Sequence, residues 1–141
     1  MKATDLMLND LVLHQDEIVR VISLATTDEG VWVVPNGRYF ARLASIDELS
    51  PIPITPEILK QNGFKNDFYE EESVADYHTI RLEGYSLKHK IGKMDGYLVT
   101  WCNGGLNVTT DLHGCVQKDI SYVHELQHAL KICEIDKEIV L

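Results

Sequence analysis

The residues with the most chemistry to offer sit near the C-terminus, where "SYVHELQHALKIC" contains His124-Glu125-x-x-His128. Two histidines four apart on a helix project from one face and can bind a single ion. Glu125 then stands where a zinc peptidase keeps the base that activates metal-bound water. Such a centre works with neutral imidazoles and a zinc-bound water whose pKa falls to about 7.

A catalytic zinc also needs a third protein ligand and an open position. The extended form of the motif would place Gly at 131 and a ligand at 134, but the chain has Lys131 and Glu134. Glu134 lies six residues beyond His128, about 240° round an unbroken helix, and so points away. The ligand must then come from upstream, and His113, Cys115 and Cys102 are the candidates. A metal-bound cysteine is the arrangement of peptide deformylases, although the deformylase motifs are absent from "WCNGG" and "LHGCV". The same five letters also fit the polar flank of an ordinary amphipathic helix. Its apolar stripe centres on Leu126 and Leu130, away from both histidines, which therefore face a cleft or water.

The elements needed to position these residues read as α+β. Up to about residue 54 the chain mixes β-branched and aromatic runs with turn signals at Asp28-Glu29-Gly30 and Asn36-Gly37. Some five short strands there suggest a small SH3-like barrel or a meander. "SPIPIT" marks a boundary, suited to an edge strand or connector. Thr55-Pro56-Glu57 opens a short helix, about 55–62, as N-cap, first helical proline and first-turn acid, and Asn62-Gly63 stops it. The polar run "FKNDFYEEESVAD" is expected to be irregular.

"YHTIRLE", "YSLKHKIG", "GYLVTWC" and "LNVTTDLH" then predict antiparallel strands over about 76–113. Turns are expected at Gly84-Tyr85, Met94-Asp95-Gly96 and Asn103-Gly104-Gly105. A helix over about 119–133, with Asp119 as N-cap, is expected to cover that sheet, and "EIVL" to add a short strand. The organisation is thus a β module, 1–54, and an α+β module, 55–141, as two units or one continuous domain.

Composition bounds the function. A chain of 141 residues with 45% hydrophobic residues buries a core without disulfides or metal. A net charge of −9 disfavours a nucleic-acid backbone as partner. Three cysteines without C-x-x-C spacing suggest a reduced setting, and no basic start followed by an apolar run opens the sequence. No apolar stretch approaches the roughly 20 residues of a membrane span. The expectation is a cytoplasmic protein.

His14, His78 and His89 occur singly and read as surface or hydrogen-bonded residues, and Cys133 as a small buried hydrophobe. A Cys115 nucleophile paired with His113 or His124 has only sequence adjacency behind it. Trp32 and Tyr39, if together on the outer face of the β module, would make a platform for a protein partner.

Three stretches, "DLMLNDLVLHQDEIVRVISL", "LSPIPITPEILKQNGF" and "ISYVHELQHALKICEIDKEIVL", resemble a family of small proteins from Bacteroidetes genomes and their phages or mobile elements. That family has no known activity. Its members often read V-H-x-L-Q-N at the last helix, so the second histidine here departs from the resemblance. Two function classes follow. The first is a non-enzymatic accessory or protein-interaction protein of phage or mobile-element type, with no cofactor and an unidentified protein partner. The second is a small zinc-dependent hydrolase built on HELQH.

Overall fold

The computed structural model describes residues 2–24, 30–74, 78–91, 94–102, 108–111, 119–132 and 134–141. Its contacts divide the chain into two compact units, Met1–Pro53 with Tyr122–His128, and Ile54–Ser121 with Ala129–Leu141. The architecture is mixed α+β.

The first unit is a curled antiparallel sheet of five short strands. These are β1 (Leu11–His14), β2 (Glu17–Leu24), β3 (Val31–Pro35), β4 (Arg42–Ala44) and β5 (Leu49–Ser50), in the order β4-β3-β2-β1-β5. The last strand returns to pair with the first, His14 opposite Leu49, after a single 3-10 turn at Ile46–Glu48. Alternation places Val12, Val19, Val21, Val31, Val33 and Ala44 inward, where with Leu6 and Leu49 they form one buried cluster.

Local chemistry explains the connections. β1 and β2 are joined by a two-residue hairpin at Gln15 and Asp16, both with positive φ (53° and 63°). The Asn36-Gly37 turn forms as expected, with Gly37 at φ 74° and the Arg38 N–H donating to the Pro35 carbonyl. A bulge between Val21 and Ser23 bends β2 and helps the sheet curl.

In the second unit, α1 (Pro56–Gln61) begins as the sequence indicates. The Thr55 hydroxyl accepts from the Ile58 N–H, and Pro56 takes the first helical position. The chain leaves the helix at Asn62, which donates to the Ile58 and Val140 carbonyls and accepts from the Val140 N–H. The C-terminal "EIVL" is therefore held by a side chain and forms no strand.

A second antiparallel sheet follows, of β6 (Lys65–Val74), β7 (His78–Ile91), β8 (Met94–Cys102), β9 (Val108–Asp111) and β10 (Asp119–Ile120), in the order β10-β9-β8-β7-β6. Three expectations change here. "FKNDFYEEESVAD" is not irregular, because Lys65–Val74 finds a ladder partner along β7. Gly84-Tyr85 is not a turn, since β7 runs through it with β6 on one side and β8 on the other. Met94-Asp95-Gly96 lies inside β8, and the pair Ile91–Met94 brackets the connection.

The final helix, α2 (Val123–Ile132), starts later than Asp119, which pairs with Thr109 in β10 instead. The sequence pattern assigns the whole helix to the second module, yet its residues up to His128 belong to the first unit. Among the described residues, no helix is long and apolar enough to cross a membrane.

Candidate functional site

Every polar side chain of HELQH has a place in the first unit. Glu125, the would-be base, sits three residues into the helix and accepts the Tyr122 N–H at 3.2 Å. That is the reach-back half of a capping box, satisfying a donor the helix start leaves orphaned. Gln127 grips the strand entry. Its Oε1 accepts the Leu11 N–H at 2.9 Å while its Nε2 donates to the Asn9 carbonyl at 3.0 Å.

His128 Nε2 meets both oxygens of Asp10, at 2.8 and 3.0 Å. A carboxylate only accepts, so Nε2 carries the proton in this pair. Asp10 is fully buried and also accepts the Met7 N–H at 2.6 Å. Its backbone is fixed as well, with the Val21 N–H on the Asp10 carbonyl and the Asn9 N–H on the Val21 carbonyl. Asn9 adopts a left-handed φ of 72° to make that corner.

His124 is 4% exposed. Its ring stacks on Tyr122 at 5.9 Å and meets His128 edge-on at 5.8 Å. Its Nδ1 is buried with no hydrogen-bond partner. Burial holds the His124 pKa below its ordinary value, against the opposing pull of the Asp10 and Glu125 carboxylates.

The two histidines of the motif thus lie together, with Asp10 beside His128. Asp10 is the functional residue that sequence reasoning missed, and 118 positions separate it from its partner. The suggested third ligands do not join them in the described part of the chain. His113 and Cys115 lie outside the described residues, Cys102 ends β8 in the second unit, and Cys133 is also outside. Among the described residues, no group of three or more His, Cys, Asp or Glu side chains is arranged to hold a metal.

The other histidines differ from one another. His14 is buried, within ion-pair reach of Glu48 at 3.5 Å but outside hydrogen-bond geometry. His78 and His89 occupy β7.

A second candidate surface lies on the outer face of the first sheet. Trp32 is 44% exposed and stands directly across from Leu43, itself exposed, on the neighbouring strand. Tyr39 and Phe40, in the β3–β4 connection, are 96% and 85% exposed. Large aromatic side chains this open to water have no structural duty in the fold and mark a surface for a partner. Arg38 and Arg42 flank them. Arg42 bonds Glu17 at 2.9 Å and Arg38 approaches the same carboxylate at 3.9 Å.

No protein-family model matches the chain, and comparison with the curated proteins and with the solved structures gives no match either.

Proposed function

We propose that this chain is a non-enzymatic accessory protein of phage or mobile-element type, acting in the cytoplasm by binding another protein. Its N-terminal sheet is read as an SH3-like barrel that carries the binding surface around Trp32 and Tyr39. The barrel reading draws support from the return of β5 to pair with β1 after a 3-10 turn. The origin rests on the sequence resemblance alone.

The observation that carries the binding reading is the exposure of Tyr39 and Phe40 beside the Trp32–Leu43 pair. The engagement of Glu125, Gln127 and His128 in holding the helix agrees with it, because those contacts give HELQH a structural purpose. Net charge favours a protein partner over nucleic acid.

A photo-crosslinking residue at position 39, in cells expressing the chain, tests the proposal. A discrete protein adduct is expected from position 39 and not from exposed Lys60. Identical adducts from both positions, or none from position 39, would sink it.

One observation favours a second reading, a small zinc-dependent hydrolase. The buried Nδ1 of His124 lacks a partner, and its ring lies 5.8 Å from that of His128. In that reading His124 and His128 hold zinc, Glu125 is the general base and Cys115, Cys102 or His113 is the third ligand. Zinc would supply a lowered water pKa, and the chain would first have to release His128 from Asp10. Elemental analysis of untagged protein after dialysis against a mild chelator decides between the readings. About one zinc per chain, lost in His128→Ala, promotes the hydrolase; substoichiometric zinc removes it.

A further inference from the structure

Two sheet edges in this chain carry opposite charge. β4 is the outer strand of the first sheet, with no partner on its far side among the described residues. From Gly30 to Ala44 the chain holds Arg38 and Arg42 and no acidic residue, in a protein of net charge −9. The Arg38 side chain is 70% exposed and only loosely held by Glu17 at 3.9 Å, so it is the cation this edge offers.

β6 is the outer strand of the second sheet. Its sequence, KNDFYEEESV, carries Asp67, Glu70, Glu71 and Glu72 against a single Lys65.

An unpaired strand edge is a template for any extended chain, and proteins guard such edges with charge. Like charge on both sides of a would-be ladder repels, and opposite charge attracts. An edge guarded by arginine is therefore closed to a copy of itself and open to an edge guarded by glutamate. Both kinds are present in this one chain. At physiological salt the screening length is about 8 Å, so pairs within the ladder count for more than the overall −9 of each molecule.

We propose that β4 of one copy adds alongside β6 of a second copy, with Arg38 facing the glutamates and Tyr39 and Phe40 covered at the junction. The partner of the exposed aromatic surface is then a second copy of this chain. The inference rests on the reading of that surface as an interaction site, and it names the occupant. Each molecule has one edge of each kind, so a reciprocal pair closes with two-fold symmetry.

Sedimentation velocity of the full chain over a range of concentrations, at physiological ionic strength, tests this. Wild type is expected to associate reversibly. Arg38→Glu and, separately, Glu70→Lys with Glu72→Lys should each weaken self-association at least about tenfold. An equimolar mixture of the two variants should associate again, because a glutamate edge now meets a lysine edge and the native pair survives on the other side. Damaged folds would show no such rescue. Wild type monomeric at every concentration, variants that associate like wild type, or a mixture that stays monomeric would each overturn the proposal. If wild type is monomeric while position 39 still crosslinks to a different protein, the binding surface stands and only the self-partner falls.

Discussion

Asp10 is a carboxylate without water, and its stability rests on two donors, the Met7 N–H and His128 Nε2. Removing one member of such a buried pair leaves the other with an unmet polar group. Asp10→Ala is therefore expected to lower the unfolding free energy by about 2–4 kcal/mol in urea titrations. Asp10→Asn keeps an acceptor for both donors and should cost roughly half as much. A loss below about 0.5 kcal/mol for Asp10→Ala would remove the latch. His124 adds a pH dependence of definite sign. Burial puts its folded pKa below the ordinary 6.5, so on acidification the unfolded chain takes up this proton first. The unfolded state then binds more protons, and stability falls as pH drops from about 6.5 towards the lower folded value. The difference between the urea stabilities of wild type and His124→Gln should shrink over that window. A difference independent of pH would mean that His124 titrates as it does in water. None of this is legible in "HELQH" itself. The motif's letters are compatible with zinc and with a helix latch, and the deciding residue is 118 positions away.

Elements were legible where local chemistry determines them. Thr55-Pro56 starts α1 because an N-cap hydroxyl and a fixed proline φ act within one turn, and Asn36-Gly37 makes its turn for the same local reason. Elements were misread where a ladder partner outweighs composition, as when β7 continues through Gly84-Tyr85 and the acidic run of β6 pairs along it. The β1–β2 hairpin escaped notice because Gln15 and Asp16 are poor residues for two positive φ angles, 53° and 63°. That misfit is correctable. Gln15→Asn with Asp16→Gly should stabilise by about 1 kcal/mol and raise the melting temperature by a few degrees. No gain would mean that the loop is held by contacts beyond its own backbone. Gly30 sits at the opposite extreme. Its φ is 123°, and a Cβ there would lie 2.3 Å from the Ala44 carbonyl oxygen. Gly30→Ala should cost at least about 2 kcal/mol, because the strain falls on backbone and cannot be relieved by a rotamer change. A loss under about 0.5 kcal/mol in a denaturant titration would show that β3 and β4 separate easily at this end.

At the scale of the molecule, the sequence suggests a break near residue 54, and the division of contacts does begin a new unit at Ile54. What sequence order could not convey is that the first unit also takes Tyr122–His128. Those residues close it in a specific way. Val123 donates its N–H to the Ile52 carbonyl, Gln127 bonds both sides of the Asn9–Leu11 corner, and His128 meets the buried Asp10. Without them the Leu11 N–H and the Asp10 carboxylate each lose a partner and Leu11 loses cover, in a sheet of only five short strands. Small β modules have little stability to spare, so losses of this size decide whether they fold. A chain ended at Ser121 should therefore lose native amide signals from Val12, Val19 and Val33 in a proton–nitrogen correlation spectrum, although these residues precede the cut by some ninety positions. Adding a synthetic peptide of residues 122–132 should bring those signals back, since its contacts with Asn9–Leu11 are made through its own side chains. Native signals in the truncated chain would instead show that the five strands suffice, and that the helix latch follows folding of the sheet without contributing to it.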